Sequence, residues 1–348
     1  MTMTQPGAPQ EEKRETLESS LSEDHVPKNS AIAKNRKSSA TKSVRRLGDI
    51  VFANISLLAG VSILLALAGV GVFLFIQSLP ALMVTEPGLL GNNADSFADY
   101  VAPLIFGTVW TAAIALLFAT PVAIGIGLFI SHYAPRKLAQ LLGYITDLLA
   151  AVPSVVYGLW GILVLAPFLQ PSFVWLFNNL HWIPFFGGEA VSSTGRTTLT
   201  AAVVLAVMIL PIMAALMREV FLQTPVLHEE ASLALGATRW EMIRMAVLPF
   251  GRSGIISAAM LGLGRALGET MAVAMVLSPA AVIHFFVLTA NNPNTVAANI
   301  ALSFPEAYGL NLNGLLGSGL VLFLVTFAVN LIARWVINRR KAFSGANA

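Results

Sequence analysis

Six apolar stretches, each long enough to cross a membrane, limit what this sequence can fold into. A helix of about 20 apolar residues covers the roughly 30 Å hydrocarbon layer of a bilayer. Of 348 residues, 56% are hydrophobic and 11% are charged, whereas soluble domains carry about 25% charged residues. The sequence therefore predicts an all-α polytopic membrane protein with six transmembrane helices, near residues 52–76, 105–131, 143–168, 198–217, 254–277 and 312–336.

Basic residues in the loops predict the orientation of the chain. Lys and Arg concentrate on the cytoplasmic side of membrane proteins. The loops after the first and fifth stretches contain neither, and the loop after the third contains only Arg196. The other two loops and the carboxy-terminal end are basic, with Arg136, Lys137, Arg218, Arg239, Arg244, Arg252, Arg334, Arg339, Arg340 and Lys341. This alternation places both termini in the cytoplasm, as an even number of spans requires.

The polar ends of the chain divide it into three regions. Between positions 28 and 46 there are seven basic residues and no acidic one. Such a segment cannot bury enough apolar surface to fold, so residues 1–46 are predicted to be a disordered cytoplasmic basic tail. The tail fixes orientation or, alternatively, binds lipid headgroups or a partner. Residues 47–341 are predicted to form the six-span domain, and residues 342–348 a short carboxy-terminal tail.

Residue types exclude several kinds of chemistry. The chain has no cysteine, and its five histidines are scattered without metal-ligand spacing. No GxxxxGK[ST] phosphate loop occurs in the sequence. We therefore expect no catalytic residue, no metal site, no cofactor and no ATP hydrolysis in this chain.

The long loop of residues 218–252 is predicted to fold into two short helices. A Thr-Pro pair near its start suits the first turn of a helix, and Gly236 suits a helix end. Thr238 and Glu241 have the spacing of a capping box, so a second helix begins there; we expect it to end near Pro249. The two helices form an elbow that a partner could grip. The alternative is an amphipathic helix that lies on lipid.

The fifth stretch contains Arg265 and, four residues later, Glu269. At 1.5 Å per residue we expect them about 16 and 22 Å into the bilayer, on one face of one helix. A charge there costs about 2.5–3.5 kcal/mol, so both must face protein or water. Gly264 and Gly268 lie on an adjacent stripe and would let another helix approach closely. Either the two charges only hold helices together, or Arg265 binds a tetrahedral oxyanion with its guanidinium fork.

Glu269 has a possible use beside an anion. Hydrogen phosphate keeps a proton near neutral pH and can donate a hydrogen bond to a carboxylate, whereas sulfate is fully deprotonated and cannot. A site with one Arg fork and one carboxylate could therefore favour phosphate over sulfate.

Two further polar positions are candidates for the same path. Asp147, near the predicted start of the third span, extends the path or is an interfacial carboxylate. Arg196, at the predicted outer end of the fourth span, attracts anions or anchors the helix at the interface.

The predicted elbow resembles a known motif. Residues 230–249, EASLALGATRWEMIRMAVLP, resemble the EAA motif of ABC-importer permeases, although Ser232 replaces an alanine and Ala246 an isoleucine. The positions in register are Glu230, Ala231, Gly236, Leu248 and Pro249. The resemblance implies that the loop docks into a separate ATPase subunit, which binds ATP and Mg. It makes the lipid-surface alternative the weaker one.

A narrower resemblance concerns the cargo. Residues 262–273, GLGRALGETMAV, and 150–161, AAVPSVVYGLWG, resemble the phosphate ABC-transporter permeases of the PstC and PstA type. The FGTVW at residues 106–110 favours the PstC type. The resemblance covers residues 50–340 and implies a type I ABC-importer (MetI-like) permease fold in the bacterial inner membrane. It also implies that Arg265 and Glu269 take part in phosphate passage.

The same resemblance implies partners. They are a second, PstA-like permease subunit that completes the pore, two PstB-like ATPase subunits, and an extracytoplasmic PstS-like phosphate-binding protein. Three alternatives stay open: a permease for sulfate or molybdate, a carrier or channel that needs no ATPase, and a membrane scaffold that senses phosphate for a signalling partner.

Overall fold

The computed structural model describes residues 47–84, 94–188 and 190–341. The tails at residues 1–46 and 342–348 lie outside this part of the chain, so the predicted disordered tail stays a prediction. Within the described residues, six helices are long and apolar enough to span a membrane, as the sequence predicts. These spans are Ile50–Leu82, Phe97–Tyr133, Ser154–Leu180, Thr198–Leu222, Arg239–Leu267 and Leu310–Trp335.

The spans are built from helices that we number in chain order. Wide π-helical turns at Gly161–Leu165 and Ile243–Val247 each join two helices without a break, and a third such turn, Phe129–Tyr133, extends the second span at its end. The helices are α1 (Leu47–Leu82), α2 (Phe97–Leu128), α3 (Arg136–Ala150), α4 (Ser154–Trp160), α5 (Ala166–Leu180), α6 (Thr198–Leu222), α7 (Val226–Ala234), α8 (Arg239–Met242), α9 (Leu248–Leu267), α10 (Met271–Val276), α11 (Val296–Ser303) and α12 (Leu310–Lys341). Two short parallel strands are β1 (Pro279–Ala280) and β2 (Asn292–Pro293).

The chain divides into two compact units between Ile63 and Leu64. The described part of the first unit is the first half of α1, whose apolar side chains from Ile50 onward are exposed. Its pattern is that of a helix surrounded by lipid, because apolar residues occur all round it. The core and the sites described below belong to the second unit.

Helix α6 forms the centre of the core. It packs chiefly against α2 and α9, and Met208, Met213, Met217 and Phe221 are buried along its length. The facing side of α2 is lined with alanines at positions 112, 115, 119 and 123, all of which are fully buried. Small residues on one helix let the backbone of another approach closely, which is the usual way that helices associate within a membrane.

The third span differs from its prediction. Residues 143–168 do not form one helix: α3 ends at Ala150, and the spanning helix begins at Ser154 and runs to Leu180. The break lies at Pro153, whose ring lacks an N–H donor and disfavours helix at the residue before it. Asp147 consequently lies on the separate helix α3 and not in a spanning helix.

The fifth span is also different from the single helix predicted for residues 254–277. The second elbow helix does not end near Pro249. It continues through α9 to Leu267, so that elbow and span are one uninterrupted rod. The wide turn Ile243–Val247 stands just before Pro249, where a proline ring would otherwise clash with the carbonyl four residues back. The rod then stops, residues 268–270 are not helical, and α10 begins at Met271.

Asn292 organises the end of the protein opposite the elbow. Its buried side-chain oxygen accepts hydrogen bonds from the backbone N–H of Thr198, at 2.8 Å, and from the hydroxyl of the same residue, at 3.1 Å. Its amide nitrogen donates to the carbonyls of Arg196, Ser278 and Ala290. One amide thus ties the start of α6 to the chain that follows α10.

Candidate translocation site and coupling elbow

Arg265 lies in the last turn of α9 and faces a cavity. The cavity has a volume of about 590 Å³ and lies between α9 and α12, with Ser257, Asn330 and Arg334 among its lining residues. Among the described residues, the Arg265 guanidinium has no hydrogen-bond or ion-pair partner. Because arginine stays charged at any physiological pH, an unpaired guanidinium inside a span needs water or an anion beside it.

Glu269 lies in the break between α9 and α10 and is 8% exposed. Its Oε1 accepts a hydrogen bond of 3.1 Å from the backbone N–H of Ala272, in the first turn of α10. A carboxylate at a helix start satisfies a free donor there and is stabilised by the helix dipole. The second carboxylate oxygen leaves Glu269 with acceptor capacity for a ligand.

The predicted relation between Arg265 and Glu269 is wrong in one respect. They do not share one face of one helix, because α9 ends at Leu267 between them. The alternative in which the two charges pair with each other finds no support either. No ion pair joins them in residues 47–84, 94–188 or 190–341. Their participation in substrate passage stays a prediction.

Gly264 and Gly268 are exposed, and no neighbouring helix in the described part of the chain packs on them. A Cβ at Gly264 would have nothing within 4 Å, and one at Gly268 would meet only the carbonyl oxygen of Gly264, at 3.7 Å. The close packing occurs instead at Gly262, where a Cβ would lie 2.6 Å from the Sδ of Met213 on α6. The close approach of another helix at Gly264 and Gly268 therefore stays a prediction, and the sequence analysis does not identify Gly262, where close packing occurs.

Arg196 contacts backbone. Its Nη2 donates a 2.6 Å hydrogen bond to the carbonyl of Leu277, at the end of α10, and its Nε is buried without a partner among the described residues. A guanidinium at a helix carboxyl end satisfies a free carbonyl and complements the dipole. Asp147 is exposed on α3 and does not line the Arg265 cavity. Neither residue joins Arg265 in one site.

The elbow between the fourth and fifth spans forms as the sequence predicts. Helix α7 begins directly after Pro225, and Gly236 takes the left-handed backbone conformation, with φ of +89°. The capping box is complete: the Thr238 hydroxyl accepts from the Glu241 N–H at 3.3 Å, and a Glu241 carboxylate oxygen accepts from the Thr238 N–H at 2.7 Å. These local hydrogen bonds fix the angle at which the second arm leaves the turn.

The elbow exposes the residues that match the EAA motif. Glu230, Ala231, Gly236 and Pro249 are exposed, and Leu248 is half-buried. Beside Gly236, Leu235 is 90% exposed at the tip. The inner side of the bend holds an open cavity of about 680 Å³ lined mostly by small and apolar side chains. A tip of this kind can bind a complementary groove in another protein.

Two sets of contacts hold the elbow to the membrane part. Met242, Ile243 and Val247 are buried at the root of its second arm. In its first arm, a Glu229 oxygen lies 3.3 Å from the Nε2 of His132, at the end of the second span. The other ring nitrogen, Nδ1, lies 2.7 Å from the Ser131 hydroxyl. The sequence analysis does not identify His132, because it lies 97 positions from Glu229 and only the fold brings the two together.

The part of the chain that the structure describes brings no three His, Asp or Glu side chains together as possible metal ligands. Six apolar spans, an exposed elbow between the fourth and fifth, and a free guanidinium facing a cavity within a span define the class. It is a multi-pass membrane permease component.

Comparisons with known proteins give the particular family. The family model for the binding-protein-dependent transport system inner membrane component matches residues 123–342. The phosphate transport system permease protein PstC 2 of Mycobacterium tuberculosis is 43% identical over 297 residues, which are 83% of this chain and 91% of that protein. PstC of Mesorhizobium japonicum is 40% identical over 321 residues, or 89% of this chain and 97% of the relative. The chain belongs to this family of inner membrane components, among the PstC permeases.

The predicted permease fold is confirmed. A chain of a bacterial ABC transporter involved in import of the acidic polysaccharide alginate superposes with a TM-score of 0.53, at 15% identity, over 83% of this chain and 98% of that one. At this identity the likeness concerns the fold alone.

Proposed function

We propose that this chain forms half of the pore of an ATP-driven importer for inorganic phosphate. Its similarity to proteins named phosphate transport system permeases supports this cargo. The observation that carries the proposal is the Arg265 guanidinium, which faces a cavity and has no partner among the described residues. A rigid fork of N–H donors in a place that otherwise disfavours charge matches a tetrahedral oxyanion.

The proposal includes other subunits. A PstA-like permease would complete the pore, and the exposed Gly264 and Gly268 offer it a flat surface. Two PstB-like subunits would bind the elbow and hydrolyse ATP with Mg. A PstS-like protein would deliver phosphate from outside the inner membrane. Both termini of this chain would then lie in the cytoplasm, on the side of the elbow.

The mechanism requires no covalent chemistry in this chain. Closure of the ATPase subunits on ATP would move the elbow, and the continuous rod from Arg239 to Leu267 would carry that movement to Arg265. Phosphate would meet the guanidinium in only part of the cycle. Glu269, one residue beyond the rod's end cap, would accept a hydrogen bond from the O–H of hydrogen phosphate with its free oxygen.

The test is phosphate uptake by the complete complex in proteoliposomes. Arg265→Ala should lower uptake at least about a hundredfold, because it removes two charge-assisted hydrogen bonds of about 1.5–3 kcal/mol each. ATP hydrolysis stimulated by the binding protein should survive. Arg136→Ala, which removes an exposed arginine of α3 outside the cavity, is the matched control and should transport normally.

Each rival function predicts a different result. Uptake without ATP would indicate a carrier or channel. Equal uptake of sulfate or molybdate would indicate a general oxyanion permease. Uptake at background in the wild-type complex, together with phosphate sensing that survives Arg265→Ala, would favour the sensing scaffold and would contradict the proposal.

A further inference from the structure

The cavity beside Arg265 contains a second arginine, Arg334, which belongs to another span. Four polar side chains contribute to its lining: Ser257 and Arg265 from α9, and Asn330 and Arg334 from α12. None of the described residues that line it is Asp or Glu. All four side chains carry hydrogen-bond donors, and two of them carry a permanent positive charge. The Ser257 hydroxyl donates to the backbone carbonyl of Ser253, at 2.9 Å, and would have to rotate to reach an ion in the cavity.

We propose that Arg334 and Asn330, with Ser257 facing them, form a second oxyanion site on the route that passes Arg265. The site would hold phosphate between Arg265 and the basic end of the fifth and sixth spans. This inference rests on the proposed function and assumes the same substrate. It adds a separate binding position, formed by other residues.

The spacing of the hydrogen-bond donors supports two binding positions for the ion. Ser257 and Arg265 are eight positions apart on a continuous helix, which places them about 12 Å apart along its axis. On α12, Asn330 and Arg334 are four positions apart and so lie on one face, one turn from each other. Donors spread over this length exceed what one phosphate ion can contact, so they serve successive positions of the same ion.

Electrostatics favours an anion in this cavity. Two guanidinium groups that share a cavity repel each other, and the repulsion is strong where the surroundings are apolar. No carboxylate among the described lining residues compensates them. A doubly charged oxyanion would compensate both groups as it passes, which makes the pair attractive to the ion and still releasable, because neither arginine holds it alone.

The other interpretation of Arg334 is an anchor. Arginines near the end of a span commonly extend towards lipid headgroups and fix the orientation of the helix. That interpretation assigns no role to Asn330, a polar amide one turn deeper on the same face of α12. It also assigns no role to the cavity that Asn330 and Arg334 line. It predicts that Arg334 has no influence on what binds in the cavity.

The absence of cysteine in the chain allows a direct test. Met260→Cys places one thiol on the cavity wall without removing a proposed donor. In the complete complex, the rate of its modification by a negatively charged methanethiosulfonate reagent is measured with and without inorganic phosphate. Phosphate should slow the reaction, and adding Arg334→Gln to the reporter should abolish that protection. Arg136→Gln, the matched control on α3, should leave it intact.

Uptake in proteoliposomes gives the second measurement. Arg334→Gln should lower ATP-driven phosphate uptake at least about tenfold, since a charge-assisted hydrogen bond is lost, while Arg136→Gln should not. Undiminished protection and uptake in Arg334→Gln would overturn the inference and leave the proposed function standing. If the wild-type complex imports no phosphate, the proposed function itself fails. If sulfate protects the thiol as well as phosphate does, the site is one for oxyanions in general.

Discussion

The carboxylate of Glu269 has two oxygens, and the backbone N–H of Ala272 engages one of them. The residue can therefore stabilise the start of α10 and also accept a hydrogen bond from hydrogen phosphate. The two roles differ chemically: the first needs one side-chain oxygen, whereas the second needs another acceptor oxygen, which glutamine lacks. Gln and Ala substitutions separate them.

Glu269→Gln should retain the helix cap and lose selectivity. We expect the thermal unfolding temperature of the purified complex to stay unchanged, and the preference for phosphate over sulfate to fall. Glu269→Ala should lose the cap as well, with a cost of about 0.5–2 kcal/mol in stability. Competition uptake assays and thermal unfolding check both results. A Glu269→Gln complex with wild-type rate and selectivity would leave only the capping role.

Single residues also show where sequence reasoning reaches its limit. A charged residue stands out in an otherwise apolar stretch, so Arg265 could be identified from the sequence as a candidate site residue. For Arg334 the sequence predicts only a role in orientation, because its cavity exists only when α12 lies beside α9. Gly262 and Gly264 are equivalent in a pattern of small residues, yet only Gly262 meets Met213. Which face of a helix meets a neighbour is decided by packing.

At the scale of elements, the elbow depends on one backbone conformation. Gly236 has φ of +89°, a region that costs residues with a Cβ roughly 1–2 kcal/mol. Its own surroundings offer no obstacle, since a Cβ there would have nothing within 4 Å. A substitution at this position therefore changes the bend without creating a clash, which makes it a clean probe of the elbow's angle.

Gly236→Ala should weaken the coupling of ATP hydrolysis to uptake. We expect fewer phosphate ions transported per ATP, because a strained elbow presents Leu235 and Glu230 at a different angle. Gly236→Asn should keep more of the coupling, since asparagine tolerates this backbone region better. The ratio of uptake to hydrolysis in proteoliposomes checks this. Equal ratios for wild type and Gly236→Ala would contradict it.

Turns whose local signals stand out from their surroundings were predicted well, and breaks that lie within apolar stretches were not. The turn at Gly236 and the Thr238–Glu241 box are encoded in a few adjacent residues, and both are present. The helix end at Leu267 was missed because residues 261–276 are almost wholly apolar and Gly268 was read as a packing residue. The cap from Glu269 to Ala272 turns the same sequence into a break.

At the scale of the whole molecule, the distribution of basic residues predicts the orientation. Arg136 and Lys137 on α3 lie at the same end of the spans as the elbow, and the turn that contains Trp182 lies at the other. Lys and Arg are retained on the cytoplasmic side. The elbow and both termini should then face the cytoplasm.

Single cysteines can test this orientation, since the natural chain has none. Trp182→Cys, at a position 73% exposed, should react with a membrane-impermeant maleimide on intact spheroplasts. Lys137→Cys, at an exposed position of α3, should react only after the membrane is permeabilised. The unsubstituted chain is the control for background labelling. The reverse pattern would contradict the orientation and would move the elbow away from any cytoplasmic ATPase.

The interruption of the helix at residues 268–270 affects how quickly the subunit is degraded in a cell. Where a spanning helix stops, backbone groups lose their partners within the helix, and hydrocarbon supplies none. Part of this interruption is satisfied within the chain, by the Glu269 carboxylate on the Ala272 N–H and by the Thr270 hydroxyl on the Gly268 carbonyl. The backbone at Gly268 is nevertheless exposed and needs water or another protein beside it. A copy of this chain inserted without its companions would hold that exposed backbone against lipid tails, and we expect membrane proteases to degrade it. The cellular level of the subunit should then follow the supply of its assembly partner more closely than its own rate of synthesis.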